Sequence, residues 1–267
     1  MTTDPETPSE PRPEAEPPQG HPREPGTEKL TIIQLLPNML TVVAICAGLT
    51  AIKLGLQGSY TFAVQLILLA AVLDGMDGRL ARALKSESGM GAELDSLADF
   101  LNFGVAPGLL LYTWALEDSR GFGWLAVLVF AVCAVVRLAR FNVQRKSEDK
   151  SHDNAYFTGV PSPAGAMLVM LPMFLSFGLG TGPVLPDVIL AIWMVIIGLL
   201  MISRIPTWSF KTTRIPRKNA KFFLVAVAVA LAAAVTYAWI TLVAFCVAYV
   251  ASVIIMLPRR RRAMSDD

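Results

Sequence analysis

Eight apolar segments follow one another along most of this 267-residue sequence. Most of them approach the length of about 20 residues that a helix needs to cross the hydrocarbon core of a bilayer. They cover approximately residues 38–56, 61–84, 91–115, 121–142, 163–180, 184–204, 219–236 and 238–257. Hydrophobic residues make up 54% of the chain and charged residues only 16%, unlike ordinary soluble domains. We therefore predict an all-α fold, a polytopic membrane helix bundle of about eight transmembrane helices, in which Pro172 kinks the fifth.

The two ends of the chain differ from the apolar region between them. Residues 1–28 contain many prolines and almost no apolar side chains, so we predict a disordered tail and no cleaved signal peptide. Residues 29–36 are amphipathic and suit a short helix lying at the membrane interface. The transmembrane domain is expected at 37–257, including extra spans at about 219–257, with a basic tail at 258–267.

Basic residues are concentrated in alternate connections between the apolar segments. They are Arg79, Arg82 and Lys85; Arg137, Arg140, Arg145, Lys146 and Lys150; Arg204, Lys211, Arg214, Arg217, Lys218 and Lys221; and Arg259 to Arg262. Loops rich in positive charge stay in the cytoplasm, so both termini are expected there, in a protein of the cell (inner) membrane. The four consecutive arginines at the end are interpreted as a topology anchor in contact with anionic membrane lipids.

Four aspartates, Asp74, Asp77, Asp95 and Asp99, interrupt otherwise apolar helical sequence. A charged side chain at the centre of a membrane helix costs roughly 2.5 to 3.5 kcal/mol, so four of them need a compensating interaction. If both flanks are helices, the spacing of three or four residues places the carboxylates along one stripe of each helix. Two such helices packed together would bring four carboxylates to one place, which suits Mg²⁺ or Mn²⁺.

Small and basic residues accompany these aspartates at helical spacing. Gly78 and Gly91 lack side chains where a ligand could approach the backbone. Arg82 follows Gly78 by one turn and can bind a phosphate through two parallel hydrogen bonds. An acidic stripe followed by an arginine indicates a site for a metal-bound phosphate.

These residues form a motif that resembles the signature of the CDP-alcohol phosphotransferase family. The pattern is Asp-x-x-Asp-Gly-x-x-Ala-Arg, eight residues, Gly, three residues, Asp, three residues, Asp. It is matched by Asp74, Asp77, Gly78, Ala81, Arg82, Gly91, Asp95 and Asp99. The resemblance implies an enzyme that transfers a substituted phosphate from a CDP-linked donor to an alcohol and releases CMP, and it suggests a homodimer.

The resemblance also implies roles for individual residues. Asp74, Asp77 and Asp95 would hold the metals, two ions of Mg²⁺ or Mn²⁺, and Asp99 would bind the second ion and act as catalytic base. The donor CDP-diacylglycerol would contact the remaining motif residues Gly78, Ala81, Arg82 and Gly91, together with Ser88. In the stretch PNMLT, Asn38 and Thr41 are further donor candidates, although asparagine also favours helix capping.

The acceptor is indicated by two further stretches, RLARFNV at 137–143 and FTGVPSPAGA at 157–166. Both resemble bacterial integral-membrane members of the family that transfer a phosphatidyl group to L-serine. Position 44 is alanine, where members that use glycerol 3-phosphate tend to carry an arginine. The candidates for binding serine are Arg137, Arg140, Asn142 and Ser162. Arg137 and Arg140 could equally set the topology and anchor the chain to lipid head groups. The proline loop around Ser162 could merely connect two segments.

Two other functions stay open from the sequence alone. The same chemistry could use another acceptor, such as glycerol 3-phosphate or inositol phosphate, and intramembrane carboxylates also occur in cation or proton transporters. Three unpaired cysteines and two histidines exclude zinc-ribbon, disulfide-scaffold and HExxH sites. Nucleic acid is not expected as a partner.

Overall fold

The computed structural model describes residues 32–84, 86, 88–119, 121–147, 156–203, 206–208, 229, 232–233 and 236–263. Apart from one two-stranded ribbon, the elements in this part of the chain are helical. The helices are α1 (Ile32–Leu56), α2 (Tyr60–Leu84), α3 (Gly89–Asp99), α4 (Ala106–Ala115), α5 (Phe122–Ser147), α6 (Ser162–Val169), α7 (Leu171–Leu179), α8 (Asp187–Ile202) and α9 (Ala238–Ala263). A π-helical stretch, Phe100–Val105, joins α3 to α4.

Within the described residues, five helical stretches are long and apolar enough to cross a membrane. They are Leu35–Leu56, Tyr60–Leu84, Gly89–Ala115, Phe122–Gln144 and Ala238–Ile255. The pair α6 and α7 adds a sixth if it forms one span, and its axis bends by 43° immediately before Pro172, where a kink was predicted. Helix α8 has only 16 residues, and the predicted segment 219–236 lies mostly outside the described residues. The helical membrane bundle is confirmed, whereas the count of eight spans and the side of the termini stay predictions.

Helix α1 begins within the segment expected to lie at the interface and continues through Pro37 without a break. A proline inside a helix removes one backbone hydrogen bond. The bond lost here is the one to the Ile33 carbonyl, while the Pro37 carbonyl oxygen lies 3.1 Å from the Thr41 hydroxyl oxygen. Asn38 and Thr41 therefore lie on the same helix. The predicted tail 1–28 lies outside the described residues, and α9 runs into the predicted basic tail as far as Ala263.

Helices α1 and α2 pack closely through small side chains. Ala44, Ala47 and Ala70 form a buried cluster between them. Small residues allow helix backbones to approach one another, which is the usual basis of packing between membrane helices. This contact brings the start of α1 beside the end of α2, where the first two motif aspartates lie.

The aspartate stretch folds into two helices joined by a short loop, as its spacing predicts. Helix α2 carries Asp74 and Asp77 and ends at Leu84, and α3 begins at Gly89. Ser88 caps α3, because its hydroxyl accepts a 3.0 Å hydrogen bond from the Gly91 amide.

Two segments that follow α5 and α8 pair as an antiparallel ribbon, β1 (Tyr156–Thr158) and β2 (Pro206–Trp208). Tyr156 lies opposite Trp208 and Thr158 opposite Pro206. Gly159 has a φ of +89°, and a Cβ built there would lie 2.6 Å from the Met201 carbonyl oxygen. Only glycine fits this position, which fixes the chain leading into α6 against the end of α8.

Candidate active site

A cavity of about 470 Å³ opens between α1, α2 and the start of α3. It is lined by Pro37, Asn38, Thr41, Asp77, Gly78, Ala81, Arg82, Ser86, Ser88, Gly91, Ala92 and Asp95. All seven residues predicted to contact the CDP-linked donor are among them, although they come from three helices and a loop. A cavity of this size can hold a small polar group such as a nucleotide head group.

Helical spacing explains why α2 presents its motif residues to this cavity. Asp77 and Ala81 are four residues apart, and so are Gly78 and Arg82 on the adjoining stripe. Asp77 is only 3% exposed, whereas Arg82 is exposed at the end of the helix. The cavity thus has a buried acidic inner part and a basic rim.

Three carboxylates converge beside the cavity. One oxygen from each of Asp74, Asp77 and Asp95 lies within 4.8 Å of the others. Asp99 follows Asp95 by one turn of α3, and its carboxyl group interacts with that of Asp74. The two helices therefore bring all four motif aspartates to one place.

Part of this acidic cluster lacks hydrogen bonds within the described residues. The Oδ1 atoms of Asp74 and Asp99 are buried and have no hydrogen-bond partner there. Burying a carboxylate oxygen without a partner costs several kcal/mol, and a bound cation removes that cost. Carboxylate oxygens are the ligands that Mg²⁺ and Mn²⁺ prefer. The donor set therefore fits a divalent cation.

The orientation of Asp77 is fixed by two hydrogen bonds. Its Oδ2 accepts a 2.6 Å bond from the hydroxyl of Thr41 on α1, and its Oδ1 accepts a 2.6 Å bond from the Gly78 amide. Because one partner lies on a different helix, packing of α1 on α2 sets the direction of this carboxylate.

The motif glycines differ in their surroundings. A Cβ at Gly91 would lie 2.8 Å from the side-chain oxygen of Asn38 and 3.1 Å from the Ser88 hydroxyl. A Cβ at Gly78 would meet no atom within 4 Å. Gly91 is thus required for the contact between α3 and α1, while Gly78 leaves the cavity wall open.

Two of the four residues predicted to bind serine form one contact. Arg137 on α5 donates from Nε to the Val160 carbonyl oxygen and from Nη1 to the Ser162 hydroxyl, both at 2.6 Å. Ser162 is fully buried. Arg137 also interacts electrostatically with Asp99, which links this pair to the acidic cluster.

The other two residues have different partners. Arg140 is exposed, and its Nη1 donates a 2.7 Å hydrogen bond to the carbonyl oxygen of Ile202 at the end of α8. Asn142 donates a 3.0 Å bond from Nδ2 to the hydroxyl of Ser96. Both contacts join α5 to neighbouring elements near the site.

Sequence reasoning missed Ser96 and Tyr249. Ser96 lies inside the motif, directly after Asp95, and this position could have identified it from the sequence. Tyr249 on α9 also interacts electrostatically with Arg137. It lies in an ordinary apolar segment, and no local pattern marks it.

Comparisons with known proteins agree with this geometry. The sequence model of the family CDP-alcohol phosphatidyltransferase matches residues 34–202, and that of CDP-alcohol phosphatidyltransferase 2 matches residues 221–253. The CDP-diacylglycerol–serine O-phosphatidyltransferase of Mycobacterium leprae is 42% identical over 212 residues, which cover 79% of this chain and 70% of that protein.

Two more distant relatives carry related names. The CDP-diacylglycerol–serine O-phosphatidyltransferase of Helicobacter pylori is 32% identical, over 72% of this chain and 78% of that protein. An archaetidylserine synthase of Methanothermobacter thermautotrophicus is 35% identical, over 53% of this chain and 59% of that protein. With its complete aspartate motif, its cluster of carboxylates beside one cavity and a family match over most of its length, the chain belongs to the CDP-alcohol phosphatidyltransferase family.

Proposed function

We propose that this protein transfers the phosphatidyl group of CDP-diacylglycerol to the hydroxyl of L-serine, giving phosphatidylserine and CMP in a metal-dependent reaction. The observation that carries the proposal is the convergence of three carboxylates beside the cavity that the seven predicted donor-binding residues line. The names of the relatives support serine as the acceptor. Membership of a transferase family argues against the alternative of an ion transporter.

The donor would occupy the cavity between α1, α2 and α3. Its diphosphate needs positive charge, which Arg82 supplies at the rim. Asn38, Thr41 and Ser88 offer polar side chains to the nucleotide, and the small residues Gly78, Ala81 and Gly91 leave room for it. The exposed apolar surface of the surrounding helices would keep the acyl chains in the bilayer.

Asp74, Asp77, Asp95 and Asp99 would hold the divalent cations, two ions of Mg²⁺ or Mn²⁺. When bound, such ions neutralise a diphosphate and stabilise the negative charge that develops on a phosphate leaving group. Thr41 would keep Asp77 in its ligating orientation through the hydrogen bond between α1 and α2.

The acceptor would bind on the α5 side of the aspartates. Arg137 would attract the carboxylate of serine, and Ser162 holds the guanidinium in place. The serine hydroxyl oxygen then forms a bond to the phosphorus that carries diacylglycerol, and the bond between that phosphorus and the CMP oxygen breaks. Asp99 takes the hydroxyl proton. Arg140 and Asn142 would support this region through their bonds to Ile202 and Ser96.

We also propose that the site faces the cytoplasm from the inner membrane and that the protein works as a homodimer. The basic residues in alternate loops support the orientation. The nucleotide end of CDP-diacylglycerol and the whole of serine are water-soluble. Both would reach the site from the cytoplasm, where nucleotides are made.

The test is an acceptor panel with purified protein, CDP-diacylglycerol and Mg²⁺ or Mn²⁺, with CMP release as the readout. Serine should release CMP, whereas glycerol 3-phosphate and inositol phosphate should not. Release with one of these other alcohols and none with serine would keep the reaction class and overturn the acceptor. No CMP release with any alcohol, from protein that still binds the donor, would overturn both.

A further inference from the structure

Helix α9 packs against α7 and α6 and turns one face toward the bundle. Trp239 stacks on Phe174 at a centroid distance of 6.4 Å. Cys246 is 1% exposed, and its Sγ lies 3.7 Å from the Met167 carbonyl oxygen. Tyr249 follows Cys246 by three residues, about one helical turn, and therefore lies on the same inner face.

The hydroxyl of Tyr249 is buried and has no hydrogen-bond partner among the described residues. A buried tyrosine hydroxyl usually finds a partner, because burial removes its hydrogen bonds to water without replacing them. Arg137 interacts with it electrostatically, yet no hydrogen bond joins the two side chains. A ligand that accepts hydrogen bonds from both groups would remove this cost.

Among the described residues, Arg137 keeps N–H donors that could bind such a ligand. Within the described residues, its bonds to Val160 and Ser162 use two of the five N–H groups of the guanidinium. The same guanidinium interacts with Asp99. Arg137 is bonded to Ser162 at the start of α6, and α9 contacts the same helix one turn before Tyr249. Unused donors of Arg137 and Tyr249 are thus both held against α6, within electrostatic range of each other.

We propose that Tyr249 is a specificity-determining residue that donates a hydrogen bond to the carboxylate of the acceptor, together with Arg137. The proposal rests on the proposed function, since it assigns one more contact to the acceptor of that reaction. A carboxylate accepts several hydrogen bonds and carries the charge that Arg137 attracts. The acceptor class is therefore an alcohol that carries a carboxylate. Helix α9 would then supply part of the acceptor site.

The test is Tyr249→Phe in the full-length protein, which removes only the hydroxyl. The KM for serine should rise by about tenfold or more, while the KM for CDP-diacylglycerol stays unchanged. Serinamide lacks the carboxylate charge, so the preference of the enzyme for serine over serinamide should fall in the variant. Tyr237→Phe is the matched control, because Tyr237 precedes α9 and is 63% exposed; it should leave all three quantities unchanged.

An unchanged KM for serine in Tyr249→Phe would overturn the proposal, and so would equal rises in the KM for both substrates, which would indicate a structural role. Tyr249→Leu is measured in the same way if Tyr249→Phe fails to fold, with the same expected rise and the same contrary result. A separate measurement decides the proposed function. It is overturned if the wild-type protein releases CMP with another alcohol and not with serine.

Discussion

The hydroxyl of Thr41 on α1 donates a 2.6 Å hydrogen bond to Oδ2 of Asp77 on α2. This bond joins a residue of the PNMLT stretch to the first buried carboxylate of the motif, and it crosses from one helix to another. The position of the acidic cluster therefore depends on how α1 packs, and not only on the helix that carries the aspartates.

Thr41→Val tests this dependence, because valine has the same shape without the hydroxyl. A hydrogen bond to a charged group contributes about 1.5 to 3 kcal/mol, so kcat/KM should fall by about tenfold or more. The matched control is Thr50→Val on the same helix, where the exposed hydroxyl only bonds the Cys46 carbonyl at 2.7 Å. Equal rates for both variants in a CMP-release assay would contradict the role of Thr41.

Gly91→Ala should weaken donor binding. The new Cβ would lie 2.8 Å from the side-chain oxygen of Asn38, so Asn38 or α3 must move. Displacing a positioning group by a fraction of an ångström can cost tenfold or more, and we expect the KM for CDP-diacylglycerol to rise by about that factor. Gly89→Ala is the control, since a Cβ there meets no atom within 4 Å. A normal KM in Gly91→Ala would remove Asn38 from the donor site.

Arg137→Lys should affect the acceptor more than the donor. Lysine cannot bond the Val160 carbonyl and the Ser162 hydroxyl through one planar group, so the positive charge moves. We expect the KM for serine to rise by about tenfold. Arg140→Lys is the comparison, because Arg140 is exposed and bonds only the Ile202 carbonyl in the described residues. A larger effect at Arg140 on the KM for serine would move the acceptor site toward it.

Gly159→Ala should destabilise the protein and disturb the contact between the chain leading into α6 and the end of α8. Alanine at a φ of +89° is strained by about 1 to 2 kcal/mol, and its Cβ would also lie 2.7 Å from the Ser203 carbonyl oxygen. Gly58→Ala separates the backbone strain from the steric clash. Gly58 has a φ of +76°, but a Cβ there would meet no atom within 4 Å. Thermal unfolding in detergent should show a lower Tm for Gly159→Ala than for Gly58→Ala; the reverse order would contradict this account.

Local spacing was sufficient to predict the acidic part of the site. Residues four apart on a helix lie on one stripe, so Asp95 and Asp99 could be placed together before any fold was known. The same reasoning predicted helices on both sides of the loop at Ser88. The resemblance to a family supplied Asn38 and Thr41, whose own stretch contains no chemical signal for a cavity wall.

Contacts between distant helices could not be read from the sequence. Tyr249 lies 112 positions after Arg137, and only the packing of α9 on α6 and α7 brings it within electrostatic range of that arginine. The π-helical stretch after Asp99 has no sequence pattern of its own. Pro37, where the transmembrane domain is expected to begin, lies inside α1, which starts at Ile32.

The most direct test of the account removes the metal and one of its predicted ligands. Purified protein is stripped with a chelator, supplied with CDP-diacylglycerol and labelled serine, and assayed for CMP and labelled lipid before and after Mg²⁺ or Mn²⁺ is returned. Three proteins are compared: wild type, Asp95→Asn, and Asp118→Asn as a control at an exposed aspartate outside the cluster.

We predict that stripped wild type and Asp118→Asn are inactive and recover fully with the cation, whereas Asp95→Asn stays nearly inactive at any cation concentration. Full activity of the stripped wild type, or equal recovery of Asp95→Asn, would contradict the claim that the carboxylates of α2 and α3 act by holding metal ions.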